Sequence, residues 1–289
     1  GNYPGAIDEG PMHSPVSPLL LDKDEVAPVR EDNADSTSPF LLTCDHYGRR
    51  IPERLGRLGL TESDMERHIA WDVGIAGVAR RLAEATGAHL IAQRYSRLVI
   101  DCNRPFESPG SIPLMSEATH IPGNYGLNFE DIAARRREIF TPYHTRIAQV
   151  LDRRAEKKHP TILLSLHSFT PVYAGVARPW HVGTLYQNGN GLPPLLLKLL
   201  RAEGHFLVGD NEPYSVSDAT DYTIPVHGER RGIANSGIEI RQDLITDDAG
   251  QIEWAERLAR ILHELEGRLL AQGLVKRWPP SIATDSPAL

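Results

Sequence analysis

Cysteine is scarce in this chain: Cys44 and Cys102 are the only two among 289 residues. They cannot build a disulfide framework and lack C-x-x-C spacing, which favours a reducing compartment such as the cytoplasm. Long apolar runs are missing too. No window approaches the roughly 18 apolar residues of a membrane span, and no basic start leads into an apolar stretch with a cleavage site, so a soluble protein without membrane association is expected. Positive charge is in deficit, with 31 Lys and Arg against 38 Asp and Glu and a net charge of -7. That is the wrong sign for a partner of polyphosphate backbones, so nucleic acid is excluded as the expected ligand. No G-x-S-x-G surrounds Ser165 or Ser168, and neither a glycine-rich phosphate loop nor H-E-x-x-H occurs.

What is present is the composition of a globular protein: 40% hydrophobic and 24% charged residues. The charge is uneven. Residues 1–39 hold eight acids against Lys23 and Arg30, together with six prolines and no periodicity. They are expected to form an acidic arm that is disordered or lies on another surface. Residues 40–278 read as a single domain, and 279–289 as a short tail.

Within the domain, Phe40 to Cys44 is an apolar run that stops at Asp45 and His46, the pattern of a buried strand ending in a loop. Helical spacing follows from about Glu66 to Thr86, with Gly87 as the stop. Ala88 to Gln93 and Arg97 to Cys102 read as strands, Asn103 to Asn128 as a long functional loop, and Phe129 to Lys157 as a long helix kinked or broken near Pro142. Thr161 to Leu166, Val182 to Tyr186, Phe206 to Val208 and Ser236 to Ile240 complete the strands. Helices over Pro193 to Glu203 and Ile252 to Leu270 complete the pattern. Strands alternating with helices, several of them uniformly apolar, predict a largely parallel or mixed sheet covered on both faces.

In such sheets ligands bind beyond the carboxyl ends of the strands, where His46, Asn103, Arg104 and His167 fall. Two imidazoles at neighbouring strand ends suit a divalent metal, although most of the 12 histidines must be ordinary hydrogen-bonded or surface residues. Arg97 inside an apolar stretch needs an anion, which is either a substrate group or an internal carboxylate such as Asp101. Strand alternation sets Glu239 and Arg241 opposite Ile238 and Ile240, making Glu239 a candidate general base. Cys44 beside His46 is a poor nucleophile–base pair, because i and i+2 on a strand are about 7 Å apart.

Five motifs in order carry a family resemblance: C-D-H-x-G-x-x-I-P at 44–52, A-W-D-V-G at 70–74, S-R-L-V-I-D-C-N-R-P at 96–105, L-H-S-F-T-P at 166–171 and G-I-E-I-R-Q-D-L-I at 237–245. From about Phe40 to Leu270 the chain resembles the N-formylglutamate amidohydrolase family. More distantly it is similar to zinc carboxypeptidases and to the aspartoacylase and succinylglutamate desuccinylase group. The resemblance implies a three-layer α/β/α phosphorylase/hydrolase-like fold and a zinc-dependent hydrolase of an N-acyl amino acid, with a place in histidine degradation. It further implies His46 and His167 as metal ligands, Glu239 as the water-activating base and Arg97 as the group polarising the scissile carbonyl. Asn103 and Arg104, with Arg241 and Ser168, are implied as substrate contacts. The distant relatives carry a glutamate ligand three residues after the first histidine, where this chain has Arg49. Asp72 is the expected replacement, with a helix N-cap as its other reading.

These readings predict metal-assisted cleavage of an acidic N-acyl amino acid such as N-formyl-L-glutamate. Two rivals stand beside it: the same chemistry on another N-acyl amino acid or short peptide, and a non-catalytic carboxylate- or metal-binding protein on the same scaffold.

Overall fold

The computed structural model describes residues 19–280, so the first part of the expected arm and most of the expected tail lie outside it. The strands are β1 (Val29–Asp32), β2 (Phe40–Cys44), β3 (His89–Gln93), the short β4 (Met115–Ser116) and β5 (Thr119–His120), β6 (Ile162–Phe169), the short β7 (Val172–Tyr173) and β8 (Val176–Ala177), β9 (Val182–Leu185), β10 (Val208–Asp210) and β11 (Ala234–Arg241). The helices are α1 (Glu62–Glu66), α2 (Ile75–Thr86), α3 (Phe129–Arg135), α4 (Thr141–Glu156), α5 (Leu192–Ala202) and α6 (Asp248–Ala271). Seven strands form one mixed sheet in the order β1-β3-β2-β6-β11-β9-β10. The central β3, β2, β6 and β11 run parallel, while β1 on β3 and β9 on β11 are antiparallel.

Strand alternation builds the three layers. Leu42, Leu90, Leu164, Ile238 and Ile240 pack with α2, α5 and α6 on one face. Leu41, Ile91 and Leu163 pack with Tyr143, Ile147 and Leu151 of α4 on the other. The result is the three-layer α/β/α architecture expected from the sequence. Among the described residues no helix is long and apolar enough to cross a membrane.

Four local expectations change. Part of the acidic arm belongs to the body: Leu20 is buried, the amides of Leu20 and Leu21 donate to Glu138, and β1 adds an edge strand. Its Val-Arg-Glu-Asp sequence has the charges that edge strands carry, which is why it read as irregular. Arg97 to Cys102 is a series of turns rather than a strand; its apolar residues pack without a ladder partner. The helix expected from Glu66 starts at Ile75, and turns fill the interval after α1. Of the kink or break expected near Pro142, the structure has an irregularity without a break: a π-turn over Arg136–Phe140 just before the proline accommodates its missing N–H and ring.

Candidate active site

The carboxyl ends of β2, β6 and β11 meet at a cavity of about 1000 Å³. Alternation decides what enters it. On β6, Ile162, Leu164 and Leu166 face the α2/α6 layer, which sends Ser165 and His167 to the cavity. On β11, Ile238 and Ile240 do the same for Gly237 and Glu239, and Glu239 sits in register with His167. His46 arrives one turn beyond β2. Gly48 follows it because a Cβ there would lie 2.0 Å from the Arg94 carbonyl oxygen. Asp72 is delivered by the loop before α2, anchored where its amide donates to the His46 carbonyl at 3.0 Å. Two residues on, Gly74 has φ 81°, and a Cβ there would lie 2.2 Å from the Ile245 carbonyl oxygen.

Three of the predicted residues converge. The donor atoms of His46, Asp72 and His167 lie within 4.8 Å of one another, and all three side chains are buried. Asp72 Oδ2 is 3.1 Å from His167 Nδ1 and 3.5 Å from His46 Nδ1. Asp72 is no helix cap, since α2 is capped by Gly74 without a side-chain bond; its carboxylate instead accepts from the Ser168 amide at 3.2 Å. His46 Nδ1 is buried with no hydrogen-bond partner, an orphan that a cation shared with Asp72 and His167 would satisfy. The opposite ring nitrogens are engaged elsewhere. His46 Nε2 lies 2.7 Å from Asp101, and His167 Nε2 lies 3.0 Å from Ser165 Oγ and 3.4 Å from Asp45. Imidazoles backed in this way by carboxylates are the usual arrangement of metal-ligating histidines, so the donor set suits a divalent metal.

The electrostatics agree. Burial acts to lower the pKa of His46, and Arg97 adds to that, but Asp101 and Asp72 outweigh both and raise it. His167 is raised well above the ordinary range, because its bonds to Asp45 and Asp72 overcome the same burial penalty. Burial works to raise Asp72 and Asp101, yet His46 with His167 on the first, and His46 with Arg97 on the second, hold both low. Glu239 is the exception. Burial, reinforced by Asp72, pushes it up to about 8, and its Oε2 has no hydrogen-bond partner. A bare carboxyl with such a pKa can both take and return a proton near neutrality.

The remaining predicted residues divide. Arg97 lines the cavity while held by Asp101 at 3.0 Å and Asp72 at 3.5 Å, so the internal carboxylate expected for it is present. Arg104 also lines it; its Nη1 donates to the carbonyls of Asn103 and Thr220, and no carboxylate among the described residues pairs with it. Asn103 borders the cavity, but its amide is occupied: Oδ1 accepts from the amides of Tyr222 and Thr223, and Nδ2 reaches Asp221 at 3.4 Å. It shapes the wall. Ser168 donates to the Val73 carbonyl and accepts from Gln242, so its hydroxyl ties the Asp72 loop to β6. Arg241 does not reach the cavity, because its guanidinium is claimed by Asp243 at 2.7 Å and by the Pro179 and Trp180 carbonyls. Arg49, at the position of the relatives' glutamate, lies over the Trp71 ring at 4.8 Å.

Two acids escaped sequence reasoning as ligand-orienting groups. Asp45 is buried, its Oδ1 taking the hydroxyls of Tyr143 at 2.6 Å and Thr223 at 2.8 Å while Oδ2 faces His167. Asp101 was legible as a partner of Arg97, but its bond to His46 was not. Their signal was weak: an acid adjoining a strand-end histidine, and an acid four residues after an arginine in an apolar stretch.

Comparison with known proteins bears on the family and the fold. The family model described as N-formylglutamate amidohydrolase matches residues 38–246. An N-formylglutamate deformylase of Pseudomonas putida is 26% identical over 272 residues, 81% of this chain and 93% of that protein. A crystal structure of a gene product from Agrobacterium tumefaciens superposes with a TM-score of 0.83 at 36% identity, covering 86% of this chain and 99% of that one. The N-formylglutamate amidohydrolase of Ralstonia eutropha superposes with a TM-score of 0.61 at 17% identity over 86% of this chain and all of its own, a likeness of fold.

Proposed function

Because the chain belongs to the N-formylglutamate amidohydrolase family of hydrolases, we propose that it is a zinc-dependent amidohydrolase of acidic N-acyl amino acids such as N-formyl-L-glutamate. The observation that carries this reading is the buried His46–Asp72–His167 cluster facing the bare carboxyl of Glu239 across one cavity. Zinc bound by these three side chains would act as a Lewis acid on the acyl carbonyl and bring the pKa of water to about 7.

The chain's own residues supply the rest. Glu239 takes a proton from the attacking water as its oxygen bonds to the acyl carbon. It returns the proton to the amide nitrogen as the C–N bond breaks, so the products are a carboxylic acid and a free amino acid. Arg97, fixed in place by Asp72 and Asp101, directs its guanidinium at the oxygen on which charge develops. Arg104, unpaired with any described carboxylate, binds the substrate carboxylate and fixes the angle of attack. Asp45 and Asp101 orient the two imidazoles.

Zinc-loaded Glu239→Gln tests the proposal. It should retain zinc and lose formate release from N-formyl-L-glutamate by about a thousandfold; normal turnover would remove the base. The cavity of about 1000 Å³ sits at the upper end of ordinary ligand pockets, which favours a second reading with a larger acyl group or a short peptide. A panel of N-acyl glutamates compared by kcat/KM separates the two.

A further inference from the structure

We propose that a second cavity, at the amino ends of the strands and sharing no lining residue with the first, binds a doubly charged oxyanion of the phosphate-monoester class. It encloses about 390 Å³ between residues 34–37, the first residue of β3 and the C-terminal half of α4. Arg153, Arg154 and Lys157 reach it from consecutive turns of that helix end.

Arg154 is the anomaly. It is only 6% exposed, yet its guanidinium meets backbone carbonyls alone, with Nη1 donating to Ser38 at 3.1 Å and Pro39 at 3.5 Å. Burial lowers its pKa to about 10, and no acid offsets the penalty. A buried guanidinium without an anion is unfavourable, and the cavity it lines is where an anion would enter. The helix dipole accounts for exposed cations at the end of α4 but not for burying one. Arg153 and Lys157 also have no carboxylate partner among the described residues.

The neighbourhood shows how this surface treats an anion. Glu31 is gripped by Arg146 at 2.5 and 3.1 Å and lies 2.7 Å from His89, which leaves the Arg146 guanidinium satisfied. The remaining three cations face a single acid in the cavity wall, Asp35, so two positive charges are in surplus. Lys157 stands four residues after Arg153 and three after Arg154, a neighbour of both on the helix surface, and all three line the cavity, which suits one compact head rather than two separated carboxylates. His159 and Trp278, stacked 4.9 Å apart at 18°, close one side with an aromatic wall.

Inorganic phosphate and glutarate, titrated into the full chain at constant ionic strength and followed by calorimetry and thermal unfolding, test the site. Phosphate should bind saturably in the millimolar range or tighter and raise Tm, with glutarate clearly weaker. Lys157→Glu and Arg153→Glu should each weaken phosphate binding about tenfold or more, leaving turnover and the phosphate-free Tm near wild type. Arg154→Met should abolish binding, and if it does not fold the two surface variants decide. The proposal fails if phosphate does not saturate, if glutarate matches it, or if Lys157→Glu and Arg153→Glu bind as the wild type does.

Discussion

Two pairs of buried histidines lie in this molecule, each with ring centroids 5.2 Å apart, and their chemistry is opposite. His46 and His167 meet at 66° around Asp72, with Asp101 and Asp45 behind them, and both take up protons more readily than a free imidazole. His144 and His227 stack at 18°, joined by a 3.0 Å hydrogen bond and by His144 to the Cys102 carbonyl. No carboxylate among the described residues touches them, and burial lowers them to about 4 and about 3. Proximity of imidazoles therefore does not make a cation site. Carboxylates of matched geometry do, because they repay desolvation of the positive charge that the other pair avoids by staying neutral.

Removing the central acid should break the contrast most strongly. Asp72→Asn is expected to take zinc content from one per chain to nearly none and to lower turnover by about a thousandfold or more, read by metal analysis and product release. Full zinc retention would show that the ligand set is different. Acid stability should separate the pairs by sign. Below pH about 6.5 the unfolded chain protonates His144 while the native state resists until about 4, so stability falls as pH drops, by about 3 kcal/mol for His144 alone at pH 4. Urea unfolding of His144→Gln should show a correspondingly flatter acid limb, and an unchanged slope would refute the assignment. The raised pair acts in the other direction: in zinc-free protein its contribution is complete below pH about 6.5 and is lost as pH rises through the raised values. The smallest change expected is from Asp45→Asn, which keeps the acceptor for Tyr143 and Thr223 but no longer backs His167 with charge. Zinc affinity should weaken by about tenfold to a hundredfold, measured by competition with a chelator.

Much of the architecture was legible because it rests on local rules. The runs that form β2 and β6, buried along their whole length, and the alternation that sets Glu239 against Ile238 and Ile240 follow from local patterns. Gly87, in a left-handed conformation at φ 69°, ends α2 as a glycine after a periodic run should. Other elements were illegible because partners far along the chain decide them. The pairing of β1 with β3 is one such case, and the turns at 97–102, whose apolar side chains fill the α4 layer, are another. Arg241 misled for the same reason. Its place on a strand beside Glu239 was readable, but the Asp243 carboxylate and the 179–180 carbonyls that capture its guanidinium were not.

The sequence by itself determined which side chains end the strands and which face they take, since backbone periodicity fixes both without reference to anything distant. It therefore named His46, His167 and Glu239 as candidates, while Asp72 came only from the family resemblance of its motif. Only the tertiary structure decided that the first three share one point in space, that Asp45 and Asp101 stand behind the rings, and that Glu239 is left bare. The protonation of a buried group depends on the charges within a few ångströms of it, and those neighbours come from distant segments, as Asp45 does for His167 and as His167 does for Asp72.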